Sequence, residues 1–411
     1  MTVTSFGDYG VATDREPASI RLEMALATAT VALAPMNYFR LEWLYFTAAD
    51  LCGLATLLVM LVNRRIDLRF YGPATPLWLI SCVLFLGGLV LGAVVNGDPM
   101  AGLVVFVQYL YSLLVIPIVV AGRRLDQTLF LIKVFVVSVA VVMLHGAYLV
   151  HLADNPDTRL LSPSGRLRSL IERENAAGAI AAIAITFSIF LYVEGRLRLG
   201  AFLALLGILF YGVLLTGSNS ATAAAFIGAV LFLLFSGRVR ILLVALPVLA
   251  AGGALLLRFG EDLLPEVFRR RVFQALASGD IEQAGTFSDR FLLLKEALGI
   301  ADGTAFLGLG ADQYQELSEF GAPVHNTYLL VLSEGGILSL LGLFGLLLTG
   351  IYLGARMLAD RAAVSRAALT LATIIFFALL INVFAHVYAR FWHVPLALAL
   401  SLSLRRGDQF R

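Results

Sequence analysis

Charge is scarce in this sequence. Only 14% of its 411 residues are Asp, Glu, Lys or Arg, against 60% hydrophobic, and the mean hydropathy is +0.89. A water-soluble chain of this length needs more polar surface to cover its cores. The composition therefore argues against a soluble enzyme, and the long apolar runs read as membrane spans. Cysteine is nearly absent. Cys52 and Cys82 both lie inside apolar runs, where small apolar fillers are the expected role rather than a disulfide. Lysine is equally rare, with Lys133 and Lys295 standing against 28 arginines. A net charge of +2 gives no electrostatic case for a nucleic-acid partner. The sequence also lacks a metal-ligand cluster, a glycine-rich phosphate loop with its lysine, low-complexity tracts and the internal repeats that many transporters carry. Residues 1–18 are polar and mixed in charge, so no cleavable signal is expected there.

What the chain does contain is apolar runs. Twelve candidate spans fall at about 20–38, 43–62, 75–95, 101–121, 127–151, 175–193, 198–216, 219–236, 239–258, 326–355, 364–387 and 391–404. A helix needs about 20 apolar residues to cross about 30 Å of hydrocarbon. Backbone groups in lipid must be satisfied internally, and uninterrupted runs of this length exclude a barrel, so the expected fold is an all-α polytopic bundle. The tenth run is over-long and carries Gly335-Gly336, where a kink or tilt is expected.

Alternate connections carry arginines: Arg64, Arg65 and Arg69; Arg123 and Arg124; Arg196 and Arg198; Arg238 and Arg240; Arg356, Arg361 and Arg366. By the positive-inside rule these face the cytoplasm, which puts both termini there as well. The expected organisation is a cytoplasmic tail over 1–19, spans one to nine over 20–258, an outward loop over 259–325, spans ten to twelve over 326–404, and a cytoplasmic tail over 405–411. Trp43, Trp78 and Trp392 lie at span ends, as an aromatic belt predicts.

Two outward connections keep arginine. The connection over 152–174 holds Arg159, Arg166, Arg168 and Arg173, with Asp154, Asp157, Glu172 and Glu174 close by. These charges either neutralise one another as solvated pairs or serve a ligand. The long loop holds Arg269, Arg270, Arg271, Arg290 and Lys295. In it, Phe287, Phe291, Leu294 and Leu298 share one helical face, as suits a helix on the membrane surface.

The polar groups that lipid rejects gather near the outward face. His325 and Asn326 open the tenth span, and Glu334 lies inside it. An intramembrane carboxylate is a functional candidate, or else a buried group that joins two helices. His145, His151, His386 and His393 read as satisfied interfacial or core histidines, and Arg390 either as a member of an outward arginine cluster or, more simply, as a snorkelling side chain. Arginine grips phosphate through a planar fork and keeps its charge, so an outward arginine cluster suits a diphosphate. That face has no ATP. A lipid-linked diphosphate sugar brings its own leaving group, and transfer then needs a base for the acceptor hydroxyl and cations for the departing diphosphate.

Four stretches resemble the O-antigen ligase and polymerase superfamily. "HNTYLLVLSEGGILSLLG" from His325 looks like its signature. "LLTGSNSA" (214–221) resembles its Thr-Gly-Ser-Arg element. "SDR" (288–290) followed by "LGLGADQY" (307–314) is similar to its loop pattern, and "SGRLRSLIERENAAGA" (164–179) to its outward Arg…Asn segment. The resemblance implies a GT-C-like integral membrane glycosyltransferase of about twelve spans, with a large, partly helical periplasmic loop, in a bacterial inner membrane. It implies inverting transfer of glycan from an undecaprenyl-diphosphate-linked oligosaccharide to a sugar or lipid A-core hydroxyl, with no metal or cofactor. A chain-length regulator is a further implied partner. By carry-over His325 is the base or acceptor-orienting group, Arg290 binds diphosphate, and Glu334 joins the catalytic set. Arg166, Arg168, Arg173, Asn219 and Asn326 bind substrate. One departure stands out: Asn219 occupies the position of the family's arginine, so either another cation takes its part, with Arg166, Arg168 and Arg173 available, or the chain belongs to a different branch.

Three functions follow in order of preference: a polymerase of lipid-linked repeat units for a surface or exported polysaccharide; a ligase onto lipid A-core or a protein hydroxyl; and a transporter or flippase. The last predicts ionisable groups at mid-membrane on several spans, whereas here they favour one face.

Overall fold

A computed structural model describes residues 17–41, 46–259, 264–273 and 287–404. The protein is mostly helical (75%). Among the described residues the α-helices of five residues or more are α1 (Ala18–Leu33), α2 (Ala48–Val62), α3 (Thr75–Val95), α4 (Pro99–Leu110), α5 (Ile116–Val120), α6 (Leu125–His151), α7 (Glu174–Val193), α8 (Leu199–Thr216), α9 (Asn219–Phe235), α10 (Val239–Phe259), α11 (Phe287–Thr304), α12 (Thr327–Leu358), α13 (Val364–Leu380) and α14 (Arg390–Ser401). A π-helical turn, Tyr111–Val115, joins α4 to α5, so the two act as one bent rod. The sheet among the described residues is one antiparallel pair, Arg40–Leu41 with Phe46–Thr47.

Each of the twelve expected spans coincides with a helix or helix pair, while seven are long and apolar enough to cross a membrane among the described residues. These are 72–95, 99–120, 125–151, 174–193, 199–216, 327–358 and 361–383; α2 and α9 are apolar but shorter. The expected tails over 1–16 and 405–411, Trp43, and much of the long loop lie outside the described residues.

The apolar runs pack through small residues, as they must where lipid supplies no hydrophobic drive between helices. The α3–α12 contact is the most extensive. A Cβ on Gly342 would lie 2.3 Å from the Phe85 nitrogen, and Ser339 Oγ donates to the Phe85 carbonyl at 2.7 Å. α7, the alanine-rich helix, sits at the centre, against α6, α8, α9 and α13. Its outer neighbour α8 leaves most of its surface facing away from the bundle.

Hydrogen bonds collect alternate connections at one end. The Tyr38 nitrogen donates to the Leu170 carbonyl, the Asn96 side chain to the Gly308 carbonyl, the Arg166 side chain to the Thr216 carbonyl, and the Thr327 hydroxyl to the 384–385 backbone. At the other end Arg65 and Arg123 both pair at 3.1 Å with Glu23, which is buried. Opposite charges there remove an isolated carboxylate from the interior.

Two sequence expectations are corrected. Trp78 and Trp392 are not interfacial: both are buried, with the Trp78 ring N–H donating to the Leu113 carbonyl at 2.8 Å. The π turn brings that carbonyl within reach, so the indole is satisfied inside the bundle and needs no headgroup. Arg390 does not snorkel. It is buried, its Nε lies 2.5 Å from Asp50 Oδ1, and its fork also reaches the Gln108 amide. Cys52 and Cys82 are free thiols, as expected.

Candidate active site

The chain reaches the site through a strap. Residues 307–310 lie across α12 at a kink, where Gly336 has φ +65° and ψ −168°. The Leu309 and Gly310 nitrogens donate to the Ser333 and Glu334 carbonyls at 2.8 Å each, and the Ile337 nitrogen donates to the Ala305 carbonyl at 2.7 Å. The break in α12 exposes carbonyls that its own helix cannot satisfy, and the strap supplies the missing donors. Glu334, only 3% exposed, aims its carboxylate at the same strap and accepts the Tyr314 backbone N–H at 3.3 Å.

α11 packs on this platform through Leu293, Ala297 and Ala301. Phe291 and Leu298, from the anticipated surface-helix face, are exposed on its opposite side. Phe287 lies at a position whose side chain is outside the description. The orientation leaves an apolar strip free, which fits a helix resting on lipid.

Asn326 is the N-cap of α12. Its Oδ1 accepts the Leu329 backbone N–H at 3.1 Å, a role that its residue type signals. His325 precedes it and is exposed. Partial desolvation by the surrounding protein, and then the positive charge of Arg290 with a smaller effect from Arg173, hold its imidazole below the ordinary histidine range, against a hydrogen bond to the Pro323 backbone. At neutral pH it is therefore uncharged and able to accept a proton.

Arg166, Arg271 and Arg290 form a cationic cluster. Arg166 donates from Nε to the Thr216 carbonyl at 2.9 Å and from its fork to Asn175 Oδ1 at 2.7 Å. Its pKa is pushed down to about 10 by burial and then by Arg271; Glu174 opposes the shift, and Arg290 and Arg168 add to it. Arg290 is lowered by the same two causes, burial and Arg271. Arg166 and Arg290 are thus held where the charge of Arg271 works against their own, a place that an anion relieves. Arg271 Cδ lies 3.6 Å from where a Cβ on Gly217 would sit, two residues before Asn219, and its Nε is buried with no hydrogen bond. Asn219 opens α9 beside Ser218, whose hydroxyl accepts the Ala221 backbone N–H at 3.3 Å.

Next to this cluster is a cavity of about 450 Å³. Arg168 and Arg173 line it, together with Arg40, Arg159, Glu172, His386 and the buried Arg390. His325, Arg290, Arg166, Glu334, Asn219 and Asn326 do not. Arg173 spans the two regions, since its charge reaches both His325 and His386. His386 is held at a pKa of about 4 by burial and then by Arg173, and its Nε2 is 3.7 Å from Asp312 Oδ1. His393, as expected of a core histidine, is satisfied by the Val387 carbonyl at 2.7 Å.

The acid–base pairs weighed from sequence do form. Arg159 meets Glu172 at 2.6 Å and Arg168 meets Glu174 at 3.0 Å. They form as the wall of a cavity, so neutralisation and lining coexist. Arg271, Arg40 and His386 were not among the expected site residues. Arg271 stood out only as one of three consecutive arginines, and the pairing of Arg40 with Glu172 spans 132 positions that no local pattern announces.

No curated protein matches the chain. Residues 204–344 match the family model described as O-antigen ligase, a stretch that runs from within α8 through Arg271, Arg290 and His325 to eight residues past the kink of α12 and leaves Arg166 outside. Members of that family are glycosyltransferase-like enzymes that use a lipid-linked glycan donor and an acceptor, and the match agrees with the seven apolar helices in marking a membrane protein. Residues 204–344 thus resemble the O-antigen ligase family, which is consistent with the O-antigen ligase and polymerase superfamily.

Proposed function

We propose that the protein is a polymerase. It transfers glycan from undecaprenyl-diphosphate-linked repeat units to a sugar hydroxyl, at the outward face of a bacterial inner membrane, with both termini cytoplasmic and twelve spans. The observation that carries this reading is the trio Arg166, Arg271 and Arg290, placed so that the charge of Arg290 reaches His325. The trio holds the diphosphate. Neutral His325 accepts the proton of the acceptor hydroxyl as its oxygen attacks the anomeric carbon. The bond from that carbon to the phosphate oxygen breaks, the configuration inverts, and undecaprenyl diphosphate leaves on the guanidiniums.

In this reading Arg271 supplies the cation that Asn219 lacks, because it reaches the same turn from the other side of the fold. Glu334 and Asn326 act as positioning residues: one fixes the strap, the other the start of α12 that aims His325. Arg168 and Arg173 face the acceptor side. The alternative is a ligase onto lipid A-core or a protein hydroxyl, favoured by the description of the matched family.

Lipid-linked intermediates in cells lacking the protein discriminate the two. Single repeats accumulating on undecaprenyl diphosphate indicate a polymerase, and full-length chains a ligase. Cells carrying His325→Ala or Arg290→Ala, each inserted at normal levels, accumulate the same intermediate as the deletion. Normal product in both variants removes these side chains from the reaction.

A further inference from the structure

The 450 Å³ cavity has a charge inventory that the diphosphate does not explain. Its lining carries five arginines, Arg40, Arg159, Arg168, Arg173 and Arg390, and a single carboxylate, Glu172. Glu172 is shared between Arg40 and Arg159, while Glu174 from outside the lining takes Arg168, and Asp50 takes Arg390 at the floor. Each of these four guanidiniums has at least one carboxylate partner. Arg173, exposed at the cavity, has no ion pair among the described residues. Arginine keeps its charge, so the surplus cannot be relieved by losing a proton.

The walls are fixed before any ligand arrives. Arg159 also lies over the Tyr38 ring at 4.6 Å, Asn37 Nδ2 donates to Glu172 Oε2 at 2.9 Å, and Glu172 itself has a left-handed backbone at φ +66°. A side chain held in that conformation marks a place where the surroundings over-determine the geometry. The lining combines planar polar groups with aromatic rings, Phe384 and Tyr388 among them. A phosphate needs only the cations. Rings with flat polar forks beside them suit a ligand with apolar C–H faces and hydroxyls, and the volume is that of a small-molecule site.

We propose that this cavity is the acceptor subsite and that it selects a saccharide bearing a carboxylate, with Arg173 as the residue that reads the acid. The proposal rests on the glycosyl-transfer reading above and adds the class of acceptor. The carboxylate takes the fork of Arg173 as a bidentate partner, and the sugar lies along the Glu172 wall toward His325.

The test uses the full chain in lipid nanodiscs, with a glucuronic-acid-containing disaccharide and its neutral methyl ester as probes. The acid binds at least ten-fold more tightly than the ester. Arg173→Gln removes that preference while binding of the ester persists, which reports a folded cavity, and Arg173→Lys restores part of it. Equal affinity for acid and ester overturns the proposal, as does a preference that survives in Arg173→Gln. Displacement of the disaccharide by inorganic pyrophosphate, with pyrophosphate affinity falling as far as acid affinity in Arg173→Gln, also overturns it, because the cavity is then a seat for the donor's diphosphate. If the acid preference stands but Arg290→Ala leaves glycan transfer intact, the transfer mechanism fails and the subsite does not.

Discussion

At the scale of single residues, the proposed chemistry depends on where positive charge sits and how it is balanced. In it His325 acts as a base, and only while neutral. Partial desolvation and the charges of Arg290 and Arg173 lower its pKa, so protonation sets in below the ordinary value of 6.5. The transfer rate should therefore fall with acid along a limb whose midpoint is below pH 6.5; a midpoint above that value contradicts the assignment. Arg271 gives a second prediction. Arg271→Ala should lower transfer at least ten-fold, and adding Asn219→Arg to that variant should recover part of the loss, since both side chains approach the Gly217 turn. Initial rates in purified protein check both. His325 and Asn326 stood out in the sequence because a polar group at the start of an apolar run has few ordinary uses, whereas Arg290 stood out only through the resemblance of the 288–290 stretch. Arg271 and Arg40 were not, because their partners come from distant segments and only the closed bundle brings them together.

At the scale of elements, α12 and its strap carry the geometry. The Gly335-Gly336 pair announced a kink in the sequence, and α12 has one at Gly336. The sequence did not announce that the "LGLG" stretch would lie on that kink, since strap and kink meet only through backbone hydrogen bonds that have no residue-type signature. Gly336→Ala should destabilise the protein by more than Gly87→Ala. The former strains a left-handed backbone by about 1–2 kcal/mol and drives a Cβ to 2.6 Å from the Phe306 carbonyl oxygen, whereas a Cβ on Gly87 meets nothing within 4 Å. Thermal unfolding of the two variants in the same detergent measures the difference, and equal melting temperatures would show that the strap does not hold the kink. Glu334 read from sequence as a catalytic carboxylate or a helix-joining group. Its bond to the Tyr314 N–H places it with the strap, a partner type that neither reading named.

At the scale of the whole molecule, hydropathy alone dictated a helical bundle, and each expected span coincides with helix. Span boundaries shifted where local chemistry intervened. The eleventh run was expected to continue to 387, but it ends at Val383, because the 384–389 segment leaves the helix to accept Thr327 and to place His386 on the cavity. Both ends of the bundle are held by charge, Glu23 with two arginines at one end and the cavity wall at the other. A bundle pinned in this way keeps the 204–344 segment and the 159–176 connection in register, so that the cationic cluster and the arginine-lined cavity adjoin.

The most direct measurement is a single-turnover reaction in nanodiscs with an undecaprenyl-diphosphate-linked repeat unit, following release of undecaprenyl diphosphate and growth of the glycan together. The account predicts equal amounts of both in the unaltered protein, and a rate at least a hundred-fold lower in Arg290→Ala with helical content unchanged. Release and growth at an unaltered rate in that variant would contradict it.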